Sequence, residues 1–308
     1  MLKKCFVMHP RQLTIMEQDI LKQYLFDPEN RHLPRTYIWA KARREGLYIT
    51  QRTFWRYANA FIGKVEHKVR PIEVKHEHIR ARKPYSILHM DSTLVKCMNG
   101  ERIWVHFVMD NYSRKILGAV PTYSTKSETV AQNLKQVIIK QNLYNKDIKL
   151  YSDDGPENHA SVTELIESDK RIKIKQVFGT YKNKSNNMIE MFNYKFKYII
   201  LKKFKPKSFK YIEKTLPVMV EYYNNLYLPV LQTFTPNEVM NGRKVKFHKQ
   251  PTELLRLFRM RVRENQQLDC KRLCPYVKPM YEGEDKRKGF DRKIYKRKYR
   301  LNFKKRQS

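Results

Sequence analysis

Between residues 85 and 178 the hydrophobic pattern changes period in a set order, and that order limits the fold of this 308-residue chain more than any other feature. Residues 85–92 (YSILHMDS) form a short apolar run. Residues 102–109 (RIWVHFVM) are rich in β-formers, and residues 116–120 follow the turn Asn111-Tyr112-Ser113. From Ser127 to about Gln141 the apolar positions Val130, Leu134, Val137 and Ile138 recur at helical spacing. Residues 148–152 predict a fourth strand, residues 162–166 a helix and residues 172–178 a fifth strand. Three strands in a meander, then helix, strand, helix and strand, predict a mixed α/β sheet with helices laid on it. Two longer helices are expected beyond it, from about Asn187 to Lys203 and from Ser208 to Leu226, with Pro217 as a kink point in the second.

A helical head precedes this region. Ile15, Ile20, Leu21, Tyr24 and Leu25 are spaced as on a helix, and Asp27-Pro28 ends the pattern. A second helix is expected from Pro34 to Arg44, then a turn at Glu45-Gly46. Thr50 is a suitable N-cap for a third helix from Gln51 to about Ala60. Helix, glycine turn and helix, with Gln51, Arg52 and Arg56 outward, make a helix-turn-helix pattern that offers those three side chains to DNA. Residues 63–82, dominated by Lys, Arg, His and Glu, read as a linker, and their histidines as solvated.

Charge narrows the function. The chain carries 64 Lys plus Arg against 30 Asp plus Glu, a net of +34. So large a self-repulsion calls for a polyanionic partner, and a small-molecule substrate is not expected. With 41% hydrophobic residues the chain still has the means to fold. No apolar run is long enough for a membrane span. The four cysteines suggest reduced thiols and a cytoplasmic, nucleoid-associated location. Basic density peaks at residues 246–308, with 21 basic and 7 acidic residues. Near its end, Arg292, Lys293, Lys296 and Arg297 are interleaved with Tyr295, Tyr299 and Phe303, a pattern suited to phosphate contacts.

Three carboxylates fall where element ends expose them. Asp91 ends the first core strand, Asp153 ends the fourth, and Glu190 lies at the start of a helix. Carboxylates converging at strand ends can hold two divalent cations roughly 4 Å apart for in-line displacement at a phosphodiester. Hard oxygen ligands favour Mg²⁺ or Mn²⁺. Asp154 is an open alternative to Asp153, although the latter stands two before Gly155. Asp110 reads as a cap of the turn that follows it. Lys195, Lys197, Lys202 and Lys203 follow Glu190 and would be phosphate contacts.

These motifs in order, Asp91, Asp110-Asn111-Tyr112-Ser113-Arg114, Ser152-Asp153-Asp154-Gly155 and Asn186 four before Glu190, resemble those of the DDE integrase-core transposases of bacterial insertion sequences, relatives of retroviral integrases. Thirty-six residues separate Asp153 from Glu190, and Tyr223-Asn224 and Thr235-Pro236-Asn237-Glu238 resemble the family's closing signals. The resemblance implies an RNase H-like core at residues 83–245, after a helix-turn-helix domain at 1–62 and the linker, and before a basic C-terminal region at 246–308. It implies two Mg²⁺ or Mn²⁺ ions per active site on Asp91, Asp153 and Glu190. The activity it implies is cleavage and strand transfer at element ends by a homo-oligomer that binds terminal inverted repeats and target DNA. A catalytically silent DNA-binding derivative and an RNase H-type nuclease are the alternatives.

Overall fold

The computed structural model describes residues 12–63, 79–155, 158–179, 187–245 and 252–267. The tail with Arg292, Lys293, Lys296 and Arg297, the linker histidines, Asn186 and the cysteines at 5, 270 and 274 lie outside these residues. The chain divides into two compact units, Ile15–Leu257 and a smaller one made of Met1–Thr14 with Phe258–Ser308. In the smaller unit, Leu13 is buried and Asn265 Nδ2 donates to the Gln12 carbonyl at 2.8 Å.

The larger unit begins with three helices, α1 (Ile15–Phe26), α2 (Arg35–Arg44) and α3 (Gln51–Ile62). Thr50 caps α3 as expected, its hydroxyl accepting from the Thr53 amide at 3.2 Å. Phe54, Tyr57 and Ala58 turn inward while Gln51, Arg52 and Arg56 stay exposed, because apolar and polar residues segregate at helical spacing. The Trp39 indole donates to the Ile49 carbonyl at 3.0 Å and so ties α2 to the turn before α3.

The head packs on the core. Tyr37 of α2 belongs to the same buried cluster as the central strands. Arg44 reaches Glu238 at 2.5 Å and lies over the rings of Phe234 and Tyr227. His32 meets the Tyr222 hydroxyl at 2.5 Å, and Lys203 pairs with Glu29 at 3.1 Å.

The core is a five-stranded sheet: β1 (Ile87–Lys96), β2 (Arg102–Asp110), β3 (Ile116–Thr122), β4 (Ile148–Asp153) and β5 (Ile174–Gly179). Their spatial order is β3-β2-β1-β4-β5, with the first three antiparallel and β4 and β5 parallel to β1. Helices α4 (Ser127–Lys140) and α5 (Ser161–Ser168) lie with the cluster of Leu88, Met90, Val108, Ile148 and Leu150. On the other face, Val95, Ile103, Val105 and Phe107 pack with α6 (Asn187–Lys195), a π-helical turn (Phe196–Ile200), α7 (Leu201–Phe204) and α8 (Phe209–Asn224). This is the mixed α/β arrangement expected from the order of periodicities and the RNase H-like core that the resemblance implies. The single helix anticipated at 187–203 is broken by the π turn, and Pro217 is accommodated inside α8.

Two further helices follow. α9 (Pro236–Met240) opens with a capping box: the Thr235 hydroxyl takes the Glu238 amide, and the Glu238 carboxylate takes the Thr235 amide. The last is α10 (Thr252–Gln267). No helix among the described residues is long and apolar enough to cross a membrane.

Candidate active site

Strand register puts two of the three carboxylates on one face of the sheet. β1 and β4 pair in parallel, with His89 against Tyr151. Two residues further on along each strand, where side chains point the same way again, come Asp91 and Asp153, on the same face of the sheet. His89 stacks on Tyr151 with ring centroids 5.6 Å apart, so these alternate positions share a face. It is the face that α6 covers: Asp91 lies opposite Phe107, whose ring meets Phe192 edge-on at 4.8 Å. Glu190 sits in the first turn of that helix and is exposed.

Each aspartate is held by an asparagine. Asn193, one helical turn after Glu190, donates Nδ2 to Asp91 Oδ2 at 2.6 Å, and the Ser92 amide donates to Oδ1 at 2.8 Å. Asn158 donates Nδ2 to Asp153 Oδ1, and its own carbonyl accepts from Gln176 at 2.6 Å. The Oδ1 atoms of Asn158 and Asn193 are buried without a hydrogen-bond partner, as is Ser152 Oγ. Such orphaned oxygens beside carboxylates are uncommon, because desolvating an acceptor without pairing it costs about 1–3 kcal/mol. Neither asparagine was singled out from sequence. The three-residue step from Glu190 to Asn193 was the available signal, since it places both on one side of a helix.

Asp154 points elsewhere. It is exposed and pairs with His159 Nε2 at 2.8 Å, while His159 stacks on Phe178 at 4.3 Å. Asp110 is buried in its turn: Oδ2 accepts from the Ser113 amide (2.7 Å) and hydroxyl (2.6 Å), and Oδ1 from the Tyr85 amide at 2.7 Å. Burial raises its pKa and these hydrogen bonds work against the rise. That is the turn-capping role anticipated for it.

The lysines after Glu190 occupy different settings. Lys197 and Lys202 are exposed. Lys203 is engaged with Glu29 and lies over the Tyr222 ring at 5.1 Å. Lys195 is partly buried; desolvation, then the nearby charge of Arg114, lowers its amine from 10.5 to about 8. Burial likewise lowers Arg114 to about 10, and its Nε and Nη1 are buried without a partner.

The donor set suits a hard divalent cation. Two aspartates lie on one face of adjacent strands, each with an oxygen held by an asparagine, and Glu190 is on the helix that covers that face. Among the described residues no three His, Cys, Asp or Glu side chains are close enough together to hold a metal ion as they stand.

Residues 81–180 match the integrase core domain family. Among solved structures, the chain is similar to the simian T-cell lymphotropic virus intasome in complex with the PP2A regulatory subunit B56 gamma. The identity is 15%, over 76% of this chain and 79% of that one, with a TM-score of 0.47. It is also similar to the HTLV-2 integrase catalytic core domain in complex with magnesium, in its trimeric form, at 17% identity over 52% of this chain and 99% of that one, with a TM-score of 0.41. No curated protein matches the chain.

Proposed function

We propose that the chain is a DDE-type transposase of a bacterial insertion element, which cuts the ends of that element and joins them to target DNA in the nucleoid. The observation that carries this reading is that Asp91 and Asp153 lie on one face of adjacent parallel strands, with Glu190 on the helix that covers that face, in a segment that matches the integrase core domain family. Asp91, Asp153 and Glu190 hold Mg²⁺ or Mn²⁺, two ions per site. Bound metal supplies activation of the attacking oxygen and stabilisation of the leaving oxygen. Asn193 and Asn158 each hold one oxygen of an aspartate and so fix how its carboxylate is turned. Asp153 is the ligand in preference to Asp154, whose carboxylate is turned to His159. Gln51, Arg52 and Arg56 read the terminal repeats. Lys195, Lys197, Lys202 and Lys203, with Arg292, Lys293, Lys296 and Arg297 of the tail, contact phosphates, and the protein works as a homo-oligomer bridging two ends.

The test is a supercoiled plasmid bearing the DNA that flanks the coding region, incubated with protein and Mg²⁺. Nicking at the element ends and joined products are expected. Asp91→Asn, Asp153→Asn and Glu190→Gln should each abolish both while end binding persists; Asp154→Asn should be milder. Cleavage without joining points instead to a nuclease, and binding without cleavage to a silent DNA-binding protein.

A further inference from the structure

β2 carries an imidazole where the strand otherwise buries hydrocarbon. His106 is fully buried between Val105 and Phe107. Its ring lies on the face of the sheet away from the carboxylates, because it stands opposite Ser92 while Phe107 stands opposite Asp91. A buried imidazole is costly unless its nitrogens are satisfied, and here each has a partner from a different strand. Thr122 of β3 gives its hydroxyl proton to the Ser124 carbonyl at 2.7 Å, so its oxygen accepts from Nε2–H of His106 at 2.9 Å. With the proton on Nε2, Nδ1 is an acceptor, and the Ser92 hydroxyl of β1 donates to it at 2.6 Å. All three bonds run the same way, from β1 across β2 to β3 and on to Ser124.

Ser92 directly follows Asp91, and its amide donates to Asp91 Oδ1 at 2.8 Å. The ladder between β1 and β4 runs only from Ile87 to His89, while that between β1 and β2 continues to Lys96. Past His89, therefore, the sheet holds β1 from one side alone, and that is the stretch with Asp91 and Ser92. His106 grips this stretch through the Ser92 side chain. We infer that His106 is a positioning residue for the metal site: by fixing the Ser92 hydroxyl it fixes the pleat at Ser92, and with it the amide that orients the Asp91 carboxylate. This rests on the reading of Asp91 as a metal ligand and extends the site through the sheet to its far face. Groups behind a metal's ligands orient those ligands, and losing one costs about 10–100-fold in metal affinity.

The experiment titrates the full chain, without DNA, with Mn²⁺ and follows the free ion by electron paramagnetic resonance. Loss of the binding in Asp91→Asn identifies the signal with this site. Two substitutions separate the nitrogens of the imidazole. His106→Asn keeps an oxygen where Nδ1 stood, so Ser92 keeps its acceptor; His106→Gln keeps a donor where Nε2 stood, so Thr122 keeps its partner and Ser92 loses its own. His106→Gln and Ser92→Ala should each bind Mn²⁺ about tenfold more weakly than wild type, and His106→Asn should bind close to wild type. Urea unfolding of the two His106 variants should give similar midpoints, since each gives up one of the two bonds. Weakened binding in both His106 variants, or in neither, overturns the inference, because a ring that only fills space does not distinguish its nitrogens. So does weakened binding in His106→Asn alone, or a wild-type signal that Asp91→Asn leaves unchanged. Ser92→Ala removes one half-buried hydroxyl and leaves the ring in place, so it tests the link even where a His106 variant fails to fold; wild-type affinity there also overturns it. A protein whose metal affinity follows the expected pattern yet never cuts or joins DNA keeps the positioning role and loses the transposase reading. Joining at element ends with a metal affinity indifferent to His106 does the reverse.

Discussion

Replacing Lys195 with Met should make the protein more stable at neutral pH. Lys195 closes α6, where burial, then the charge of Arg114, lowers its amine from 10.5 to about 8. Unfolding restores the ordinary value. Between about pH 8 and pH 10.5 the unfolded chain therefore holds more protons than the folded one, and stability rises with pH across that window. Below about pH 8 both states are charged and the cost of burying the ammonium is present in full. The drop from 10.5 to about 8, at about 1.4 kcal/mol for each tenfold change in proton affinity, sets a ceiling of about 3 kcal/mol. The amine retains some contact with solvent, which screens it, and about 1–2 kcal/mol is the expected gain. Met keeps the length of the aliphatic stem without the charge. Urea unfolding of wild type and Lys195→Met, followed by intrinsic fluorescence in phosphate-free buffer at about pH 7 and about pH 10, measures it. The variant should have the higher midpoint near neutrality, and the gap should close at the alkaline end. A variant less stable near neutral pH, or a difference indifferent to pH, refutes the reasoning.

Arg52→Ala with Arg56→Ala, both exposed on α3, should weaken binding to element ends by about 1–3 kcal/mol for each base edge no longer read; discrimination between end and random duplex, measured by anisotropy, tells whether α3 reads sequence. Gly118→Ala should destabilise the core by about 1–3 kcal/mol, because a Cβ there meets Val137 Cγ2 at 2.5 Å and Asn133 Oδ1 at 2.6 Å; chemical denaturation with an unchanged midpoint contradicts it. Deleting residues 281–308, with 12 basic residues against four acids, should lower affinity for all duplex DNA alike. Its log–log salt slope should flatten by about 0.9 for each phosphate the tail had neutralised, and a slope unaffected by the deletion takes the tail off the DNA.

Local signals carried most of the architecture. Thr50 and Ser208 cap their helices because a hydroxyl at that position meets an amide three residues on, a rule that needs no tertiary information. Asp110 closes its turn on the same logic. Two motifs that stood out by resemblance have structural work in the fold. Asn224 clamps the Ile116 backbone through both its amide atoms, and Thr235 with Glu238 forms a capping box. What escaped the sequence depends on contacts between distant segments. The step from Glu190 puts Asn193 on the right side of its helix, but its meeting with Asp91 follows from how α6 packs on β1, far away in the chain. Tyr37 reads as an inward residue of a helical head, yet it joins the core cluster, since a head that docks looks no different in pattern from one that does not. Lys195 reads as one more surface lysine, and only its burial beside Arg114 sets it apart.

The pairing of β1 with β4 has an evolutionary consequence. Asp91 and Asp153 share a face because of a register, while the residues between them in the chain only have to return to the sheet. Slipping β1 by one residue against its neighbours turns Asp91 to the opposite face, where Leu88 and Met90 pack against the apolar cluster. Lengthening a connection between the strands, such as the residues 97–101 between β1 and β2, leaves that register alone. Descendants of this chain are therefore free to gain or lose residues in the loops over many generations, while a single-residue deletion inside β1 puts Asp91 and Asp153 on opposite faces.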